Sequence, residues 1–166
     1  CIILRPGVVE RSGETSNLKV DISKFFDKTY TLEQGYVEGG DILRINNHFI
    51  IGISGRTNET GAKNLSNIIE KNGGTSEIAI TPENTLHFKS ECSLLDEETI
   101  LATDNLIKSD FFNKKYRIIK VPKGEETGAN CLRINEHLLI PKGYDRLLDL
   151  VSKDYKVRVL DVTEME

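Results

Sequence analysis

The sequence predicts an α/β fold built from repeated ββαβ units. Three observations carry this: a hairpin that occurs twice, a switch from strand to helix periodicity after each copy, and a further strand after each helix. Leu43-Arg44-Ile45-Asn46-Asn47-His48 returns 89 residues later as Leu132-Arg133-Ile134-Asn135-Glu136-His137, identical at five of six positions. Each copy reads as strand, tight Asn-containing turn, strand.

Taken in order, Cys1-Ile2-Ile3-Leu4-Arg5-Pro6-Gly7 lines up with Phe49-Ile50-Ile51-Gly52-Ile53-Ser54-Gly55. It is a second hairpin strand without its first. The first full hairpin ends in strand Phe49–Ile53 and runs into a helix over Thr57–Lys71. Ala62, Leu65, Ile68 and Ile69 recur at helical spacing, Thr57 can cap the start, and Asn72-Gly73-Gly74 stops it. Strand Glu77–Ile80 completes the unit. A third copy follows: Cys92–Leu95, a polar Asp96-Glu97-Glu98 turn, Thr99–Ala102, a short helix near Asn105–Phe112, and strand Arg117–Val121. The last unit continues from its hairpin through Leu138–Ile140, helix Tyr144–Lys153 and strand Lys156–Val162. The expectation is a closed repeat array cut at both ends, with open faces where neighbouring units are missing. An irregular α+β domain with one accidental hairpin similarity is the alternative.

Composition narrows the function classes. At 166 residues and 18.7 kDa the chain suits one domain. With 38% hydrophobic and 29% charged residues it is not a disordered chain. Its apolar runs, such as Phe49–Ile53, fall far short of the roughly 20 residues of a membrane span, and no signal segment opens it. The net charge of -4 argues against a broad nucleic-acid surface. Three cysteines without CxxC spacing suggest neither a disulfide framework nor a zinc site, so a reducing, cytoplasmic setting is expected. Because the first residue is Cys, something is expected to precede it or to have been removed.

Several segments could carry chemistry. Val37-Glu38-Gly39-Gly40-Asp41-Ile42-Leu43 places two carboxylates around a glycine pair at a strand entry. Such acids can hold a cation or orient a histidine; a turn with solvated acids is the plainer alternative. Leu86-His87-Phe88-Lys89-Ser90 puts a histidine between apolar residues in a strand-like segment, fit for proton transfer or for a satisfied half-buried role. Arg11 and Arg56 each follow a hairpin strand; arginine forks suit carboxylates, although singly each could be a surface residue. Cys92 and Cys131 read as small buried hydrophobes. Cys1 raises an N-terminal nucleophile, its own amine as base, but nothing after it supports that chemistry.

Together, Leu4-Arg5-Pro6-Gly7 with Arg11, Glu38-Gly39-Gly40-Asp41, Gly52-Ile53-Ser54-Gly55-Arg56-Thr57-Asn58, Leu86-His87-Phe88-Lys89-Ser90 and Ala129-Asn130-Cys131 resemble successive signatures of the dimethylarginine dimethylaminohydrolases. These belong to the guanidino-modifying, or amidinotransferase, superfamily. The resemblance implies a five-bladed α/β propeller (pentein), of which residues 1–166 would form three to four units of a single domain.

The resemblance also implies a cysteine-dependent C–N hydrolysis of methylated arginine to citrulline. His87 would act as acid and then base, Glu38 would orient it, and Arg11 and Arg56 would bind the amino-acid end of the substrate. No cofactor or metal is implied. The partner is a small guanidino amino acid, not nucleic acid or a membrane, and a homodimer stays open. Lys89 stands where the superfamily's deiminases and amidinotransferases carry an acid, which shifts substrate choice away from free arginine. The family's nucleophilic cysteine would lie beyond Glu166, and a further acidic pair before Cys1, so the chain alone is expected to be inactive. A related hydrolase of citrulline or another guanidino compound, and a non-catalytic binding propeller, are the alternatives.

Overall fold

The computed structural model describes residues 1–11, 13–109, 111–112 and 115–162. The chain divides into two compact units, Cys1–Phe88 and Lys89–Glu166.

In the first unit, β1 (Ile2–Ile3) pairs in parallel with β2 (Tyr30–Thr31), and α1 (Glu14–Ile22) lies between them in sequence. A 3-10 turn over Gly39–Asp41 then leads into β3 (Ile42–Ile45) and β4 (His48–Ile53), followed by α2 (Glu59–Lys71) and β5 (Thr75–Ile80). The β3–β4 pair is antiparallel and β4–β5 parallel, giving the order β3-β4-β5. The predicted ββαβ unit is therefore present. Helix α2 starts two residues later than expected, with Asn58 rather than Thr57 as its cap: Asn58 Oδ1 accepts the Gly61 amide at 2.8 Å. Thr57 is diverted to Asp41, as described below. The helix ends where Gly73 adopts φ +84° and the Gly74 amide reaches back to the Ile69 carbonyl. Ala62, Leu65 and Ile69 face β4 and join Leu32, Val37 and Ile51 in the core. Each fully buried leucine or isoleucine there contributes about 1.5–3 kcal/mol.

The second unit holds two more copies. One is β6 (Cys92–Leu94), β7 (Thr99–Ala102), α3 (Asp104–Lys108) and β8 (Arg117–Lys120). The other is β9 (Leu132–Ile134), β10 (His137–Pro141), α4 (Asp145–Val151) and β11 (Lys156–Leu160). Both repeat the antiparallel-then-parallel pairing. The helix expected over Asn105–Phe112 is shorter at its end, and residue 110 lies outside the described residues. Leu95, Leu101, Leu138, Ile140, Leu147 and Val151 build this unit's core.

The hairpin repeat survives a strict comparison. His48 opposes Ile45 as His137 opposes Ile134, and the turn residues Asn46 and Asn135 adopt φ 55° and 53°. Asparagine tolerates this left-handed conformation better than most residues. Among the described residues no helix is long and apolar enough to cross a membrane.

Candidate active site

The candidate residues of the first unit converge on one cluster. The Val37–Asp41 segment is fixed by the chain on both sides. The Val37 amide donates to the Arg5 carbonyl at 2.8 Å, and the Glu38 amide donates to Thr57 Oγ1 at 3.1 Å. Just before it, Gly35, at φ +75°, packs so tightly on Gly61 that a Cβ would lie 2.1 Å from the Gly61 nitrogen. This close approach seats the segment on the first turn of α2.

Both acids of the glycine pair are buried, so they are not solvated turn residues. Glu38 is 6% exposed and Asp41 fully buried. Asp41 gathers three donors and an imidazole. Oδ1 accepts the Phe88 amide at 2.8 Å, and Oδ2 accepts Thr57 Oγ1 at 2.6 Å and Ser54 Oγ at 2.8 Å. His87 Nδ1 lies 3.3 Å from the same Oδ2. Burying a carboxylate is costly unless its oxygens are hydrogen-bonded, and these are.

His87 lies in irregular chain just ahead of a 3-10 segment, Phe88–Ser90, not in the strand-like segment expected. Leu86 is 57% exposed, so its apolar character does not report a buried strand. The ring packs on Gly40, where a Cβ would lie 2.6 Å from His87 Cγ. The next residue, Phe88, is fully buried, and Gly52 leaves room for it: a Cβ there would meet Phe88 Cβ at 2.5 Å. Backbone, ring and amide of this corner are thus each held.

The expected Glu38–His87 hydrogen bond is absent: Glu38 Oε2 is 3.7 Å from Nε2, beyond hydrogen-bond range. The physical reason is competition. Glu38 Oε2 accepts from Arg11 Nη1 at 3.2 Å, and Arg56 Nη1 is 3.9 Å from Oε1. Oε1 is buried without a hydrogen-bond partner. Of the two carboxylates that the sequence places around the glycine pair, Asp41 and not Glu38 is the nearer to the imidazole. Arg11 is also bound to Glu14 by Nε and Nη2 at 3.0–3.1 Å. Glu14 thereby holds the Arg11 guanidinium above its ordinary pKa, and Arg11 holds the Glu14 carboxyl below its own.

A cavity of about 310 Å³ opens beside this cluster, with Arg11, Glu14 and Glu38 on its wall. That is near the lower end for small-molecule sites, about 300–1,000 Å³. A second hollow of about 420 Å³, lined by Cys1, Tyr30, Phe49 and Leu65, contains none of Arg11, Glu38, Arg56 and His87. Among the described residues no His, Cys, Asp and Glu cluster could hold a metal ion. Cys92 and Cys131 are buried as expected. Burial pushes the Cys131 thiol up to about 11 and the Cys92 thiol further still. Neither is a ready thiolate.

A buried pair of carboxylates, an imidazole and two guanidinium groups, with Arg11 and Glu38 of this set on the wall of a cavity, suit proton transfer and the recognition of a charged amino acid. The comparisons agree with that class: residues 18–138 match the arginine deiminase family, and the chain belongs to it. More narrowly, it is 34% identical over 166 residues to the N(G),N(G)-dimethylarginine dimethylaminohydrolase of Pseudomonas aeruginosa. The alignment covers 98% of this chain and 65% of that enzyme, so the chain spans just under two thirds of its relative's length. A cysteine-to-serine mutant of that enzyme complexed with citrulline superposes with a TM-score of 0.92 over 99% of this chain and 65% of that one. The inosamine-phosphate amidinotransferase of Streptomyces griseus shares the fold, at 16% identity, with a TM-score of 0.77 over 98% of this chain and 59% of that one. The fold is thus the α/β fold of several small sheets found in the amidinotransferase superfamily.

Proposed function

We propose that this chain carries the histidine, carboxylate and arginine part of an active site that hydrolyses Nω-methylated arginine to citrulline. The observation that supports this best is the convergence of Arg11, Glu38, Asp41, Arg56 and His87 within one contact network. In this proposal the 166 residues are part of a single five-bladed propeller, and the three ββαβ copies are three of its blades. Arg11 and Arg56 bind the substrate's α-carboxylate, for which guanidinium forks are suited.

The chemistry follows from the electrophile. A resonance-stabilised guanidinium is a poor one, so covalent catalysis divides the task. A cysteine thiolate adds to the guanidinium carbon, forming a C–S bond. The C–N bond to methylamine or dimethylamine then breaks, and His87 gives the leaving nitrogen its proton. Next, His87 takes a proton from water as the water adds to the same carbon. The added hydroxyl gives its remaining proton to solvent as the C–S bond breaks, so the thiolate is regenerated and citrulline is released. The raised thiol pKa values of Cys92 and Cys131 weigh against either as the nucleophile, and this proposal takes the thiolate from outside residues 1–166. The 166-residue chain alone is accordingly inactive in this proposal.

The test is citrulline formation from dimethylarginine, with the 166-residue chain and the gene's full product assayed side by side. The full product should turn over. In it, His87→Ala should abolish turnover, while Arg56→Ala should mainly raise KM, because it removes binding made in ground and transition states alike. Full product that binds dimethylarginine but yields no citrulline would refute the hydrolase. Robust turnover by the short chain would refute the placement of the nucleophile, and Cys1 would be the first thiol to examine.

A further inference from the structure

The two nitrogens of His87 have unlike surroundings. Nδ1 lies 3.3 Å from Asp41 Oδ2, whereas Nε2 has Glu38 Oε2 at 3.7 Å, and that oxygen is engaged by Arg11. Asp41 is held at both of its oxygens. It is fully buried, anchored through Oδ1 on the Phe88 amide and through Oδ2 on the hydroxyls of Thr57 and Ser54. A carboxylate so placed is an acceptor, and an imidazole nitrogen can meet it only with an N–H. Gly40 leaves the space that lets the ring lie where Nδ1 meets Oδ2.

We infer that Asp41 is a positioning residue that holds neutral His87 as the Nδ1–H tautomer, leaving the Nε2 lone pair as the atom that exchanges protons during the reaction. This rests on the role of His87 in the proposed function. The consequence is chemical: an imidazole can take a proton only at its unprotonated nitrogen, so the tautomer decides which ring atom works. Fixing it with a buried aspartate on Nδ1 is the logic by which Ser-His-Asp triads present Nε2. Glu38 is released from the task of orienting the ring and left to the cationic partners that surround it. Asp41 also ties the imidazole to the Thr57 end of the α2 entry loop, the loop that carries Arg56. One carboxylate therefore sets the spacing between the proton-transfer residue and an arginine of the site.

The experiment is long-range ¹H–¹⁵N correlation spectroscopy of histidine-labelled chain at a pH where the imidazoles are neutral. The chain has three histidines, so His87→Gln assigns the signal. The expected result is a pyrrole-type Nδ1 and a pyridine-type Nε2 for His87, with Asp41→Asn losing that preference. Wild-type His87 found as the Nε2–H tautomer overturns the inference, and it does so whether or not Asp41→Asn folds. In the gene's full product, Asp41→Asn should lower kcat by roughly 10²–10⁴-fold with KM changed only a few-fold. Unchanged kcat would also overturn it. Because the spectrum needs no turnover, a wild-type protein without hydrolase activity would refute the proposed function and leave the tautomer to be decided by the spectrum.

Discussion

Replacing Gly40 by alanine tests the packing that holds His87. An added Cβ would stand 2.6 Å from His87 Cγ, 2.7 Å from Cδ2 and 2.9 Å from Nδ1. Carbon atoms pack best at about 3.5–4.0 Å, so the ring must retreat by roughly 1 Å. Nδ1 is already 3.3 Å from Asp41 Oδ2, so such a retreat breaks that contact. Overpacking of this kind costs about 1–3 kcal/mol. With a urea m-value of about 2 kcal/mol/M, a loss of about 2 kcal/mol lowers the unfolding midpoint by roughly 1 M. Gly39→Ala is the control, because a Cβ there meets nothing within 4 Å. Urea unfolding of the three proteins, followed by circular dichroism, measures the difference. In the gene's full product, turnover should also fall by roughly 10²-fold, the cost of misplacing a reacting group by about 1 Å. An unchanged Gly40→Ala midpoint together with unchanged His87 ¹⁵N shifts would show that the ring does not pack on Gly40, and the geometry argued for this corner would be wrong.

Thr57→Val keeps the side chain's shape but removes the hydroxyl that donates to Asp41 and accepts the Glu38 amide; leaving that buried amide unpaired should cost about 1–3 kcal/mol in the same urea assay. Iodoacetamide at pH 8 should label exposed Cys1 first, with Cys92 and Cys131 reacting only after unfolding, as read by peptide mass spectrometry. Lys120 and Lys108 hold the Asp104 carboxyl down to about 2, below its ordinary 3.8. A lowered carboxyl stabilises the fold above its unfolded pKa and loses that effect as pH falls through the folded one. The difference in urea midpoint between wild type and Asp104→Asn should therefore shrink between about pH 4 and pH 2, and shrink at every pH in high salt.

Local signals made the hairpins legible. Leu43 and Ile45 are buried, the Asn46-Asn47 turn follows, and the same residue pattern returns at Leu132 to His137, where Leu132 and Ile134 are instead exposed. Helix α2 was visible for the same reason, since Ala62, Leu65 and Ile69 make a core stripe. Helix α1 and strand β2 carried no such signal. Leu18 and Val20 of α1 are exposed, and β2 is two residues long, so neither leaves a periodic pattern. The individual site residues were legible as residue types, but their partners were not. Asp41 collects partners from residues 13, 16, 46 and 47 positions away, a set that only the folded chain assembles. Likewise, nothing in the spacing of Glu38 and Arg11 shows that the arginine takes the oxygen nearest His87.

The Asp41 arrangement has counterparts in the other two repeats, and this bears on how a site arises on such a scaffold. In each ββαβ copy, a buried acid placed ahead of the first strand reaches the start of the helix that follows the second strand. Asp41 accepts from Ser54 and Thr57 ahead of α2. Glu91 accepts from Thr103, the cap of α3. Glu125 accepts the backbone amides of Arg146 and Leu147 at the start of α4. For Glu125, burial pushes its pKa up but is outweighed by the Leu147 amide and the Arg146 guanidinium, leaving it below its ordinary value. Each carboxylate takes donors from the entry to its helix, backbone amides for Glu125 and hydroxyls for Asp41 and Glu91, and so ties two distant segments of the repeat together. The clamp recurs in all three described copies, so it acts as a folding device of this repeat whether or not a site is built on it. In the first unit the same acid carries one further bond, to an imidazole seated on Gly40. The proposed proton-transfer site thus needs little beyond the scaffold: a glycine for space, a histidine just ahead of the next 3-10 segment, and a carboxylate the repeat already supplies.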